Sequence, residues 1–324
     1  MWKLLGPAIG ALALLCLTIA LPDHGAWSQA GRTIRIVLSV PPGGSIDFLA
    51  RILADQISSA TGQTMIVESR PGAGGIIAAE AVARAQPDGN TLLINNNGMI
   101  ISAILHKVNY DARLSFEPIC YLVTTPQLIV VNSESPFRTL AELVDAARAK
   151  PGELSIASVG PNTTQHIGIE RLKRLAHADL TYVPYPGGAT TINALLGGHV
   201  TSAVLNWSEI GEHVTAGKAR ALATMALQRI EPLPDLPTVS ESGYKGFETD
   251  VWFGVVAPAK TPKETMVQLI DWFRAAVLAP QVKAKLVAQA LYPNPKCGAD
   301  FDAHLRHQTE LYTQLIHDLD IKTE

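Results

Sequence analysis

Three glycine-rich polar turns, each following a β-rich run and opening onto a helical pattern, constrain this chain more than any other feature. They are Pro41-Pro42-Gly43-Gly44-Ser45-Ile46-Asp47, Ser158-Val159-Gly160-Pro161-Asn162-Thr163-Thr164 and Pro186-Gly187-Gly188-Ala189-Thr190-Thr191. Strand, turn and helix repeated in this order imply an α/β fold with mostly parallel sheets flanked by helices. Candidate strands are Ile34 to Val40, Met65 to Glu68, Thr91 to Ile94, Leu128 to Val131, Leu154 to Ser158, Ala203 to Leu205 and Gly254 to Ala257. After the first turn, Phe48, Leu49, Ile52, Leu53 and Ile57 recur at helical spacing. Thr139-Leu140-Ala141-Glu142 reads as a capping box, and Thr261-Pro262-Lys263-Glu264 as another with proline at the first helical position. Phe301, Leu305, Tyr312, Leu315, Ile316 and Leu319 form an apolar stripe that predicts a closing amphipathic helix.

No internal repeat, low-complexity tract or Pro/Ser-rich linker divides the sequence. The 324 residues suffice for two domains, which short crossings of the chain would have to join. Near-balanced charges, 26 basic against 29 acidic, provide no basic field for nucleic acid.

Met1 to Ala30 reads as a cleavable secretory signal. Lys3 supplies the cation, Leu4 to Leu21 the uncharged apolar stretch, and Ser28-Gln29-Ala30 the polar end. The mature chain is expected to begin at Gly31. Leu15 before Cys16 argues against a lipid anchor. Export would place Cys120 and Cys297 where a disulfide is permitted, although two buried free thiols fit the sequence equally well.

Signatures of catalysis and of cofactors fail one by one. Gly72-Ala73-Gly74-Gly75-Ile76-Ile77 has isoleucine where a dinucleotide fingerprint needs its third glycine, and Gly211 to Lys218 has the wrong spacing for a phosphate loop. Ser158 lacks the first glycine of a nucleophile elbow, where Ile156 stands instead. Glu212-His213 lacks a second histidine, and no C-x-x-C pair suggests a metal. The remaining histidines read as scattered surface or loop residues. No cofactor, metal or catalytic residue is assigned.

The three turns instead offer unsatisfied backbone N–H groups at helix starts, where anions bind. Their glycines allow a ligand to approach the backbone closely. Ordinary βα turns with helix caps are the competing reading of each loop, but three such turns favour a binding cleft beyond the carboxyl ends of the strands.

At this point the residues resemble a family over essentially the whole mature chain. Ile36 to Arg51, with Pro-Pro-Gly-Gly-x-x-Asp-x-x-Ala-Arg, is similar to the opening motif of the Bug receptors, periplasmic solute-binding proteins of tripartite tricarboxylate transporters. Glu68 to Gly75, Pro87-Asp88-Gly89, Thr139 to Leu143, Val183-Pro184-Tyr185, Leu195 to Gly198, Ala216-Gly217-Lys218, Leu236-Pro237-Thr238 and Trp252-Phe253-Gly254 follow in the family's order. The resemblance implies a two-domain periplasmic binding protein of the type II Venus-flytrap kind. Domain 1 would comprise 31–130 plus 252–324 and domain 2 131–251, with a small carboxylate held between them. It further implies delivery to the membrane permease subunits of a tripartite tricarboxylate transporter by a monomeric receptor, with no role for nucleic acid.

Carried over residue by residue, Gly44, Ser45 and Asp47 form the first ligand loop, Asn162, Thr163 and Thr164 the second, and Gly188 and Ala189 the third. Asp47 could face a ligand amine or hydroxyl, or cap the helix that follows. Arg51 and Arg70 read as structural. Asn95, Asn96 and Asn97 follow a strand and could add side-chain amides to the cleft or serve as turn residues, with Asn96 taken as the ligand contact. Ser39-Val40 replaces the family's usual Pro-Phe, and Pro186 and Thr201 depart from common polar residues, so a mono- or dicarboxylate is expected rather than a citrate-like ligand. A sensor that presents its solute to a signalling partner is the alternative, with an exported hydrolase using Ser158 and His166 a distant third.

Overall fold

Apolar runs and periodic stretches fold largely as their patterns require. The computed structural model describes residues 33–161 and 163–321, and of Asp250 the backbone alone. In order the elements are β1 (Ile34–Leu38), α1 (Ser45–Thr61), β2 (Met65–Ser69), α2 (Ile76–Ala83), β3 (Thr91–Asn96), α3 (Gly98–Leu105), β4 (Phe116–Asn132), α4 (Leu140–Ala149), β5 (Ser155–Val159) and α5 (Thr164–Ala176). They continue as β6 (Thr181–Tyr185), α6 (Gly188–Leu196), β7 (Ser202–Asn206), α7 (Trp207–Thr215), β8 (Ala219–Thr224), β9 (Asp250–Pro258), α8 (Lys263–Leu278), α9 (Pro280–Ala288), β10 (Tyr292–Cys297) and α10 (Ala299–Asp318). The signal-like Met1 to Ala30 and the site candidate Asn162 lie outside the described residues.

Two groups of strands meet along β4. In the first, β1, β2, β3 and the early part of β4 run one way, and β9 and β10 return against them. In the second, β5, β6, β7 and β8 run together, antiparallel to the late part of β4. Strand direction is thus mostly parallel within each group. Both faces of each group are covered, as near-continuous apolar strands require. On β1, Ile36 and Leu38 pack in one core while Val37 packs in another. On β4, Ile129 and Val131 face one layer and Leu128 and Val130 the opposite one, the two-residue period of a strand.

Helix starts follow local chemistry. Thr139 caps α4, its Oγ1 accepting the Glu142 N–H at 3.2 Å while the Glu142 carboxylate accepts the Arg138 N–H at 2.6 Å. The box expected at Thr261 does not form. Pro262 itself is the N-cap of α8, and the Thr261 hydroxyl donates to Pro258 O at 2.7 Å. α10 buries Phe301, Leu305, Tyr312 and Ile316. Phe301 reaches so close to β9 that a methyl group on Gly254 would come within 2.5 Å of its ring. β4 extends from Phe116, twelve residues before its expected start, and β6, β8 and β10 lie outside the expected strands.

Cys120 and Cys297, opposite each other on β4 and β10, form a disulfide across 177 residues of sequence. A closure of this length typically adds about 2–4 kcal/mol by restricting the unfolded chain. Two histidines depart from the surface reading. His304 on α10 packs edge-on against Tyr121 and Trp252, where burial lowers its pKa to about 4. The His166 ring stacks on Tyr182 with centroids 4.3 Å apart.

Candidate functional site

The starts of α1, α5, α6 and α7 follow the carboxyl ends of β1, β5, β6 and β7, where α/β sheets place their ligands. The chain leaves β1 through Gly43, whose φ of 97° lies in the left-handed region that favours glycine. Gly44 is then the N-cap of α1 in extended conformation, with no side chain to satisfy the first-turn N–H groups. Open space surrounds it: an added Cβ would meet nothing within 4 Å. Ser45, the first helical residue, donates its hydroxyl to Ser208 Oγ on α7 at 2.8 Å, a contact between residues 163 apart. This hydrogen bond joins a helix start of the first strand group to one of the second.

Asp47 is turned back from that opening. Its Oδ2 accepts the Gly43 N–H at 3.0 Å, and Arg51 Nε lies 3.0 Å from both carboxylate oxygens. The Arg51 side-chain hydrogen bond, aided by the Gly43 N–H, holds the Asp47 acid below the ordinary carboxylate value despite partial desolvation. These contacts correspond to the helix-capping role of Asp47.

At the second loop Gly160 has φ 62°, and Thr163 is a working N-cap: its Oγ1 accepts the His166 N–H at 3.3 Å and donates to Gly160 O at 3.3 Å. Thr164, the first helical residue, is buried. Ser158 is fully buried, with its hydroxyl 3.1 Å from Tyr182 Oη, which in turn donates to Gly160 O. His166 stacks on that same Tyr182, and burial is the chief cause of its lowered pKa.

The third loop resembles the first. Gly187 caps α6 in extended conformation without a side-chain bond, and Thr190 and Thr191 donate their hydroxyls to Gly187 O at 2.7 and 2.9 Å. Gly188 begins the helix, and Ala189 follows on the exposed side. A methyl group on Gly188 would come within 2.5 Å of Glu209 Oε1, so the α7 carboxylate lies directly against the α6 start. Glu209 Oε2 accepts the Asn206 N–H at 3.2 Å, and burial raises the acid's pKa.

At the end of β3, Asn96 uses its side-chain oxygen on the Gly98 N–H at 2.8 Å, and Asn97 donates to Tyr312 Oη at 2.8 Å and accepts the Trp252 N–H at 3.1 Å. Asn95 accepts from Ser39 Oγ at 3.1 Å and from the Asn96 N–H at 2.8 Å, leaving its buried Nδ2 without a partner. A buried, unpartnered amide donor at this strand end is thus on Asn95.

Of the expected residues, the structure links Ser45 to Ser208 of α7, and Gly188 to the neighbouring Glu209. Asp47 and Thr163 use their side chains, and Asn96 its side-chain oxygen, on local hydrogen bonds. Ser208 and Glu209 were not expected. Their signal was Asn206-x-x-Glu209 directly after the apolar run Ala203 to Leu205, a further capping pattern of the type read at Thr139 and Thr261. Two concavities lie elsewhere, one of about 620 Å³ beside Arg35, Arg84 and Asp88 and one of about 830 Å³ beside Arg138 and Arg220. Neither contains an expected site residue. The first lies by the starts of β1 and β3, away from the helix N-termini, so the helix starts at the opposite strand ends are the stronger candidate site.

Comparison with known proteins gives the family. Residues 49–320 match the family described as tripartite tricarboxylate transporter family receptor, TctC. The chain is similar to the solved periplasmic binding protein BugD, at 31% identity and TM-score 0.81 over 90% of this chain and 99% of BugD. It is also similar to Rpa4515 of R. palustris with adipate, at 29% identity and TM-score 0.85 over 92% and 100% of the two chains. MatC (Rpa3494) from Rhodopseudomonas palustris with bound malate matches at 26% identity and TM-score 0.78 over 88% and 99%. No helix among the described residues is long and apolar enough to cross a membrane. With its α/β periplasmic binding protein fold and a family match spanning most of its length, the chain belongs to the tripartite tricarboxylate transporter receptor family.

Proposed function

We propose that this chain is an extracytoplasmic receptor that captures a small mono- or dicarboxylate in a cleft between two lobes, 31–130 with 252–324 and 131–251. It acts as a monomer and delivers the solute to the membrane permease subunits of a tripartite tricarboxylate transporter. The observation that carries this reading is the uncapped start of α1, facing α7 of the other strand group through the Ser45–Ser208 hydrogen bond. Backbone N–H groups at such a start hold a carboxylate through charge-assisted hydrogen bonds and the helix dipole. Gly44, Ser45, Gly188 and Ala189 are the proposed ligand contacts from the first and third loops, with Asn162 and Thr164 from the second and Asn95 joining from β3. The adipate and malate in the two relatives support a carboxylate as the ligand class. The leader-like Met1 to Ala30 supports export. A binding role without catalysis fits the placement of Ser158, buried against Tyr182.

Thermal unfolding of the mature protein against carboxylates, neutral amides and sugars tests the reading. A carboxylate at 100 times its Kd is expected to add about 2.7 kcal/mol to the folded state, seen as a rise of several degrees in Tm. Selective stabilisation by sugars, with none by any carboxylate, would overturn it.

A further inference from the structure

Glu209 is a half-buried carboxylate beside the start of α6, with no cation paired to it among the described residues. Its Oε2 accepts the Asn206 N–H, while Oε1 lies against the first residue of α6 and receives no hydrogen bond among the described residues. No lysine, arginine or histidine among those residues pairs with it; its acid is raised by burial, with only the Asn206 N–H acting in the opposite sense. A partly desolvated carboxylate is stabilised by a donor or a cation. Asp47 on α1 has that compensation in Arg51, and Glu209 does not.

The two uncapped helix starts therefore differ in charge. At α6 the favourable end of the helix dipole already faces a resident anion, Glu209. At α1 the N–H groups remain open, and the nearest carboxylate is neutralised by Arg51. Ser208, which bonds to Ser45 of α1, directly precedes Glu209 in sequence, so the open pole and the resident carboxylate sit beside each other. We propose that Glu209 is the specificity-determining residue of the cleft: it accepts a hydrogen bond from an ammonium or hydroxyl group of the ligand and repels a second carboxylate at that position. This rests on the reading of the cleft as a carboxylate site, and it narrows the ligand to one with a carboxylate at one pole and a proton donor at the other.

Glu209→Gln isolates the charge, because glutamine still accepts the Asn206 N–H and so preserves the helix cap. Calorimetry on the wild type and this variant would use matched four-carbon and six-carbon series: the diacids succinate and adipate, the corresponding ω-amino acids, and the corresponding ω-hydroxy acids. The wild type is expected to prefer the amino or hydroxy member over its diacid, and Glu209→Gln to move that ratio toward the diacid by about tenfold or more, 1.4 kcal/mol per tenfold. A greater loss for the amino than for the hydroxy compound would identify the second pole as cationic, and the reverse would identify it as a neutral donor; either supports the proposal. A wild type that prefers the diacids, or a variant that binds carboxylates with an unchanged ratio, overturns the role of Glu209 alone. If the wild type binds no carboxylate in either series or in the broader panel, the carboxylate reading fails and the proposal fails with it.

Discussion

The starts of α1 and α5 follow similar glycine-rich turns, yet they satisfy their backbone differently. At α5 the Thr163 hydroxyl accepts the His166 N–H, and the turn is further fastened by the Tyr182 hydroxyl on Gly160. At α1 the cap is Gly44, with no side chain to bond the first-turn N–H groups and nothing within 4 Å of where a Cβ would stand. A helix whose orphan donors are filled by its own sequence gains stability, whereas one whose donors are left open keeps a place for an external anion. Similar loop sequences can therefore carry different duties, and the difference lies in which side chain turns back onto the backbone.

The largest effect that would test this contrast is expected from Gly44→Trp. The backbone at Gly44 is extended, with φ −89°, and nothing lies within 4 Å of the added Cβ, so the fold should accept the side chain. The indole would fill the space where a carboxylate approaches α1. Ligand-induced stabilisation, about 2.7 kcal/mol at 100 times the wild-type Kd, should disappear while the ligand-free Tm stays close to wild type. A variant that still binds normally would remove α1 from the site and end the contrast.

Thr163→Ala probes the other side of it. Loss of a threonine cap costs about 1 kcal/mol, a fall of roughly 2–4 °C in Tm for a chain of this size. The cost should appear with and without ligand, leaving Kd nearly unchanged in calorimetry. If instead Kd rose tenfold with no change in the ligand-free Tm, Thr163 would be a ligand contact and the two loops would be equivalent.

How much of this was legible in the sequence depended on which forces act locally. The α/β class, α1, the cap of α4 and the stripe of α10 follow from periodicity and capping chemistry within a few residues. Strands that break local rules were invisible. β10 contains Pro293 and Pro295, and β6 is an edge strand with Pro184, positions where proline is tolerated but argues against a strand by itself. β8 reads Ala-Arg-Ala-Leu-Ala-Thr, better helix formers than strand formers, and is held in the sheet by pairing with β4. In the site, the glycine turns were readable because a backbone function needs glycine. The partners of their side chains were not, since Ser45 meets Ser208 and Gly188 meets Glu209 only through the arrangement of the two strand groups. The Cys120–Cys297 pairing was undecided for the same reason, resting on the register between β4 and β10.

Asp47→Asn gives the smallest and sharpest test, because the sequence allowed Asp47 to serve either the ligand or the helix. Its carboxylate is engaged by the Gly43 N–H and by Arg51, so the charge supports the α1 start from within. Asparagine retains an acceptor for the N–H and loses the ionic component, which the exposed side of Arg51 already screens. The expected stability loss is smaller than that of Thr163→Ala, and Kd should stay within about twofold of wild type, under 0.5 kcal/mol. The pH dependence fixes the cause. The folded-state pKa of Asp47 lies below its ordinary value of 3.8, so its contribution is fully present above that value and is lost as the pH falls through the folded pKa. The gap between wild type and variant in urea unfolding should therefore be constant from neutral pH to about pH 5 and close progressively below pH 4. A variant that unfolds like wild type at every pH but no longer binds would assign Asp47 to the ligand, and α1 would then recognise a donor as well as an anion.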